Sequence, residues 1–355
     1  MKILHFTNSY YPAIGGIENV VENLCVELQK KGHQSDVLTL NKSQGGKFEQ
    51  HATYKGSKII RLPFLDLKYY KLSSAPFSLI KNYDLIHIHS LGFFSDLLLL
   101  TKPIHKKRII VSTHGGFFHT QNIAGAKKFY FNTLERLLLK NADKIIADSK
   151  QDLAKFNEIN KNIIRIDNGF SAPEPAGQKE KNTFLFVGRL SNNKGLENLI
   201  NVFSKLKFEY KLWIIGKDFD NLRPALQKQI KTLGLEKKID LLGPVKEKEL
   251  YKYYSKAEYF VSASKYEGFG ITAIEAMHFG CFCILNNIPT FKEFTSNKRG
   301  KIINYAKTEK ASKEIEKIVR QGGKEKNATL KKAKEYSKKF LWKNKINEFL
   351  KVYGE

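Results

Sequence analysis

Glu267-Gly268-Phe269-Gly270-Ile271-Thr272-Ala273-Ile274-Glu275-Ala276-Met277 follows an apolar run that ends near Ser262 and precedes a second, over 281–285. Two glycines punctuate the chain just before a segment of helix-forming residues, so the stretch reads as strand, glycine loop, helix. Two glutamates seven residues apart would lie about two turns apart on one helix. Glu267 precedes both glycines, however, which assigns it to the loop and leaves Glu275 on the helix. Gly268 and Gly270 permit close approach of a ligand, and the helix start offers free backbone amides. A paired-carboxylate hydrolase is the naive reading. The glycine loop between the carboxylates and the apolar Ile271, Ala273 and Ile274 argue instead for a binding helix that faces a core. Asn286-Asn287-Ile288-Pro289, after the next strand, is expected to line the same cleft.

The same alternation runs along the whole chain. Strands are predicted over 2–7, 35–40, 58–62, 85–89, 108–113, 144–148 and 162–166, then over 183–188, 211–215, 239–242, 258–262 and 281–285. Most of these runs are continuously apolar, as strands covered on both faces must be, and helical patterns lie between many of them. The fold class is therefore α/β with parallel sheets. A polar, Pro- and Gly-rich seam over 171–179 divides the chain into two sets of repeats, predicted as domains over 1–170 and 171–330. A final helix over about 331–352, with Phe340, Leu341, Ile346, Phe349 and Leu350 on a partly apolar face, is expected to cross back to the first domain, within a terminal segment 331–355.

Three further constellations sit where strands hand over to helices. Gly15-Gly16 follows the first strand and precedes a helix over about 17–31; it offers backbone amides to an anion, although the glycines alone favour a plain turn and the dinucleotide fingerprint is absent. Ser112-Thr113-His114-Gly115-Gly116-Phe117-Phe118-His119-Thr120 ends a buried strand, at the edge where open α/β sheets bind ligands, and exposes the His114 imidazole beside two glycines. His119 reads as an acceptor-side neighbour, and of His87 and His89, within a strand, at least one is read as structural. Val187-Gly188-Arg189-Leu190-Ser191-Asn192-Asn193-Lys194-Gly195 supplies a planar guanidinium and a compact ammonium to one loop, a pair suited to phosphate oxygens without a metal.

Composition narrows the class. Hydrophobic residues at 42% make a folded chain the default, and 355 residues are more than one core usually serves. The three cysteines have no metal-site spacing; Cys281 and Cys283 alternate along a strand as small hydrophobes, in keeping with a reducing cytoplasm. No apolar run is long enough to span a membrane, and the start does not read as a signal peptide. The net charge of +26 favours polyanions, although a lysine-rich composition alone gives the same sum. No helix-turn-helix, zinc-finger or RNP-type signature accompanies it, so nucleic acid is not an expected partner.

The glycine pair, His-Gly-Gly, Gly-Arg…Lys-Gly and Glu-x7-Glu, in this order over essentially the whole chain, resemble glycosyltransferase family 4. The resemblance implies a GT-B fold: two Rossmann-like domains facing across a cleft, the first binding the acceptor and the second the nucleotide sugar. It implies Gly15 and Gly16 beside the diphosphate, Arg189 and Lys194 on its oxygens, Gly270 and Glu275 at the nucleotide, Glu267 near the donor sugar, and His114 near the sugar 6-hydroxyl and the reacting centre. His114, Arg189, Lys194 and Glu267 are thus the catalytic candidates, and neither a metal nor another cofactor is expected. Within the family, Thr101-Lys102-Pro103, the stretch 111–120 and Asn193-Lys194-Gly195-Leu196 are similar to the α-1,3-mannosyltransferases of the xanthan and acetan pathways. That branch takes GDP-mannose and a polyprenyl-diphosphate-linked acceptor. It implies a retaining hexosyltransferase of cell-surface polysaccharide synthesis. An anionic membrane surface is a further expected partner, met by Lys68-Tyr69-Tyr70-Lys71 and Lys127-Lys128-Phe129-Tyr130-Phe131, which places the protein on the inner face of the plasma membrane. The rival readings are a nucleotide-sugar 2-epimerase of the same architecture and a non-catalytic polyanion-binding protein on this scaffold.

Overall fold

The computed structural model describes residues 1–13, 15–41, 48–66, 71–74, 76–89, 91–114, 131–321 and 323–354. The chain forms two compact units, Met1–Phe170 together with Trp342–Glu355, and Ser171–Leu341.

In the first unit eight strands lie in the spatial order Ile163–Arg165, Lys144–Ala147, Arg108–Ser112, Leu85–Ile88, Lys2–Thr7, Gln34–Leu40, Ser57–Leu62, His51–Tyr54. All neighbours are parallel except the last pair, where His51–Tyr54 lies antiparallel to Ser57–Leu62 at the edge. Both faces of this sheet are covered, which is why its strands read as continuous apolar runs. On one face Leu4, Phe6, Ile86, Ile88, Ile109 and Val111 meet Phe94 and Leu98 of the helix Phe93–Leu100. On the other, Ile3, Leu85, Ile110 and Ile146 meet Trp342, Ile346 and Phe349 of the last helix, Trp342–Tyr353.

The expected single helix over 331–352 is corrected to two, Lys324–Lys338 and Trp342–Tyr353. The cause lies in which core each residue fills. Phe340 is fully buried in the second unit, its ring 5.6 Å from Phe269 and 5.1 Å from Tyr336. Trp342, two residues on, is buried in the first unit, with its backbone N–H donating to Phe170 O at 3.0 Å. No continuous helix serves both cores. The last helix is then fixed at its C-terminal end: the Arg108 guanidinium donates to the carbonyls of Val352 and Tyr353 at 2.8 and 2.9 Å, satisfying acceptors that a helix end leaves open.

The second unit is a six-stranded parallel sheet in the order Ile239–Gly243, Lys211–Ile215, Glu180–Val187, Ala257–Ser262, Phe282–Asn286, Lys301–Ile303. In each unit the chain starts in the middle of the sheet, builds outward on one side, and then crosses to the other. The switch falls between Lys2–Thr7 and Leu85–Ile88 in the first unit and between Glu180–Val187 and Ala257–Ser262 in the second. At such a point neighbouring loops diverge and leave a crevice beyond the carboxyl ends of the strands. Cys25, Cys281 and Cys283 are buried free thiols.

The buried Tyr353 hydroxyl is hydrogen-bonded to His87 Nδ1 at 2.7 Å. Tyr353→Phe keeps the ring and leaves that nitrogen without a partner, so it should cost about 1–2 kcal/mol, seen as a fall of a few degrees in the thermal midpoint. An unchanged midpoint would show that this bond does not hold the terminal helix.

Candidate functional site

The loop after Glu180–Val187 and the loop after Ala257–Ser262 flank the switch point of the second unit, and they are tied to each other. Lys194 Nζ donates to Glu267 Oε1 at 2.7 Å, with only 13% of each side chain exposed. The Lys265 backbone N–H donates to Asn193 O at 2.7 Å. Gly195 makes this approach possible. It has φ +63°, and a Cβ there would lie 2.5 Å from Ala263 O. Gly216, after Lys211–Ile215, packs as closely on the other side: a Cβ would meet Gly188 O at 1.8 Å. From the same loop Arg189 projects outward, its guanidinium 4.8 Å above the exposed Phe219 ring and without an anionic partner among the described residues. Lys194 Cε would lie 3.7 Å from a Cβ built on Gly188, the residue before Arg189, so the two cations stem from one loop. An unpaired guanidinium beside an ammonium that has a single carboxylate partner can accept further anionic oxygens.

Gly270, with φ +79°, starts the helix Ile271–His278, which carries Glu275. Glu275 Oε2 accepts from Tyr254 Oη at 2.8 Å. Burial pushes its carboxyl up to about 7, against the opposing effect of the Tyr254 hydrogen bond and with a smaller contribution from Glu247. Asn286 supports the crevice rather than projecting from it alone: its amide donates to Ala263 O and Ser264 O at 3.3 and 3.0 Å, and the Thr290 hydroxyl donates to Glu267 O at 3.0 Å.

In the first unit Gly15 is the N-cap of Gly16–Lys30, as the glycine pair suggested. The Glu18 carboxylate, hydrogen-bonded to the Ser9 hydroxyl, folds over Gly15, so this helix end already carries a negative group. At the switch point His5 and His87 stand opposite each other in register. His5 Nδ1 lies 3.0 Å from His89 Nε2, and His89 Nδ1 lies 3.0 Å from His114 Nε2. His114, at φ +43°, also faces Asp148 Oδ2 from Nδ1 at 3.8 Å. Burial would raise the Asp148 carboxyl; His114, a hydrogen bond with Asp152 and the Asn168 amide outweigh it and hold Asp148 below the usual carboxylate range. Burial holds the His5 imidazole down to about 3, and burial with neighbouring imidazoles holds His87 and His89 well below their ordinary value, so all three are neutral. His5, His87 and His89 have the composition of a metal centre, with ligand atoms within 4.8 Å of one another. Five of their six ring nitrogens are already engaged, by each other, by His114, by Tyr353 and by Ser112 Oγ at 2.8 Å. That makes a hydrogen-bonded row rather than an open ligand set.

The structure thus joins Lys194 to Glu267 and places Arg189, Gly270 and Glu275 in the same unit, with His114, Gly15 and Gly16 in the other. Gly115, Gly116, His119, Lys68 to Tyr70 and Lys127 to Tyr130 lie outside the described residues. Sequence reasoning missed His5, Asp148 and Gly216. His5 sits inside an apolar strand and Asp148 just past the end of one; only register and topology bring them to His114.

Residues 14–172 match the family described as Glycosyltransferase Family 4, and residues 170–340 match Glycosyl transferases group 1. The GDP-mannose:cellobiosyl-diphosphopolyprenol alpha-mannosyltransferase of Xanthomonas oryzae pv. oryzae is 32% identical over 368 residues, covering 100% of this chain and 97% of that protein. The protein of the same description from Xanthomonas campestris is 30% identical, covering 99% and 96%. The structure of Anabaena HepE in complex with UDP-glucose superposes with a TM-score of 0.75 at 16% identity, covering 99% of each chain, which shows a shared GT-B fold.

The raised Glu275 carboxyl has a consequence for stability. A folded-state value above the unfolded one means that the native protein holds this proton more tightly. The contribution is full below about pH 4.5 and is lost as pH rises through about 7. Thermal melts of wild type and Glu275→Gln across that window should show the variant gaining on wild type as pH rises. Parallel curves would refute the buried, proton-binding carboxyl.

Proposed function

The chain belongs to the family 4 glycosyltransferases, and on that premise we propose that it moves mannose, with retention of anomeric configuration, from GDP-mannose to a polyprenyl-diphosphate-linked saccharide in cell-surface polysaccharide synthesis. The observation that carries this reading is the 32% identity to a GDP-mannose-dependent enzyme across both units. The geometry agrees with it. When the bond from the anomeric carbon to the diphosphate oxygen breaks, negative charge grows on the leaving group. Arg189 and Lys194, preorganised on one loop, stabilise that charge. The acceptor hydroxyl attacks from the same face, its oxygen bonds to the anomeric carbon, and its proton passes to the departing diphosphate. Glu267 steers Lys194 and lies by the donor sugar, Glu275 accepts hydrogen bonds from the ribose, and His114 contacts the sugar from the first unit. With two cations at the diphosphate, no metal is required.

The test is transfer of labelled mannose from GDP-mannose to an undecaprenyl-diphosphate disaccharide, with EDTA present. Wild type should turn over, and Arg189→Ala and Lys194→Ala should each lose about 100-fold in rate while remaining folded. Transfer that needs added magnesium, or near-normal turnover in both variants, would contradict the role of this loop. Interconversion of the nucleotide sugar without an acceptor would instead identify an epimerase.

The same reading places the protein on the cytoplasmic face of an anionic membrane, where a lipid-linked acceptor resides. No helix among the described residues is long and apolar enough to cross a membrane. The first unit exposes 63% of Leu100 and 73% of Ile104 in a stretch that also carries the exposed Lys106 and, bonded through Nζ to Lys81 O, Lys107, while Lys102 is paired with Asp143. Each lysine near such a surface adds about 1 kcal/mol. In sedimentation with liposomes, binding should rise with phosphatidylglycerol content and fall with salt. Equal partitioning onto neutral and anionic vesicles would remove the electrostatic contribution.

A further inference from the structure

The row His5, His89, His114 and Asp148 has a direction. A neutral imidazole carries one N–H, and each contact in the row needs one donor and one acceptor. Only two proton arrangements satisfy both 3.0 Å contacts with every ring neutral. In one, His5 Nδ1–H donates to His89 Nε2, His89 Nδ1–H donates to His114 Nε2, and His114 keeps its proton on Nδ1. In the other, every bond is reversed and the last proton sits on His5 Nε2.

The two ends select the first arrangement independently. His5 Nε2 is fully buried and has no hydrogen-bond partner among the described residues. Reversal would strand an N–H donor there, whereas the first arrangement leaves only an unused lone pair; orphaned buried donors are the rarer case. At the far end His114 Nδ1 faces the Asp148 carboxylate at 3.8 Å. An N–H is attracted to that oxygen, and a bare nitrogen lone pair is repelled. The His114 backbone, at φ +43°, occupies the left-handed region that non-glycine residues rarely adopt, so its surroundings must hold the residue in place.

We propose that His5 and His89 are positioning residues that hold the proton of His114 on Nδ1, so that His114 meets a substrate hydroxyl as a hydrogen-bond donor and not as a base. At 3.8 Å the proton is held only loosely by Asp148, which leaves room for a substrate oxygen to accept it. His114 Nε2 is occupied by His89 throughout. The inference rests on the reading of His114 as a residue of the transferase site.

Long-range proton–nitrogen correlation spectra of the full-length, histidine-labelled protein report each ring's tautomer. His114 should appear as the single Nδ1–H form in wild type. In His89→Gln the amide reaches the Nε2 side and abandons His114, whose tautomer should become mixed. Turnover should then fall about tenfold with donor KM little changed. In His89→Asn an amide nitrogen takes the place of Nδ1, and both tautomer and turnover should return. A single Nδ1–H form with full turnover in His89→Gln would overturn the proposal. Should that variant not fold, wild type decides alone, since a proton on His114 Nε2 is the reversed arrangement and would overturn the proposed direction. Full transfer by His114→Ala, beside the expected tautomers, would strike the site reading and leave the row standing.

Discussion

Parallel strands cannot be joined by tight turns, and most of this molecule follows from that constraint. Each return needs a crossover, the crossovers blanket both faces of the sheet, and the strands beneath must be apolar throughout. Polar chemistry is pushed to the strand ends, and at one edge the reversal of winding opens a crevice. In the second unit that crevice holds Lys194 and Glu267; in the first it holds the histidine row. The two units use one topological device for different purposes, a cationic loop in one and a hydrogen-bonded histidine row in the other.

The Lys194–Glu267 pair shows how the crevice is kept ready. A mostly buried ammonium needs a counter-charge, and a single carboxylate at 2.7 Å supplies it. In the proposed transfer a doubly charged diphosphate would offer more oxygens than that carboxylate does, so the lysine would be shared without leaving its seat. The backbone bond from Lys265 to Asn193 and the absence of a side chain at Gly195 keep the two loops in place for that exchange.

Much of this was legible in the chain. The strands predicted over 2–7 and 211–215 are those observed, and most others differ by one residue at an end, because burial on both faces leaves an unbroken apolar signal. His51–Tyr54 and Lys301–Ile303 gave no such signal: they are short edge strands, the first alternating exposed and half-buried residues. Glu267 and Lys194 were readable as loop residues from their glycines, but their bond was not, since it joins positions 73 residues apart. The histidine row was the least visible. One histidine in each of several strands looks like a satisfied core residue until the register aligns them.

The second unit leaves the first at Phe170 and returns at Trp342, where the two ends are joined by a backbone hydrogen bond. It is an insertion into the first unit. A ribosome therefore makes nearly all of the first unit, then all of the second, before it delivers the helix whose Trp342, Ile346 and Phe349 seal the first sheet's open face. The part synthesised first is finished last. Through most of translation its sheet exposes the apolar surface of Ile3, Leu85, Ile110 and Ile146, so loss of only the final fourteen residues would leave that nascent face a target for chaperones and proteases.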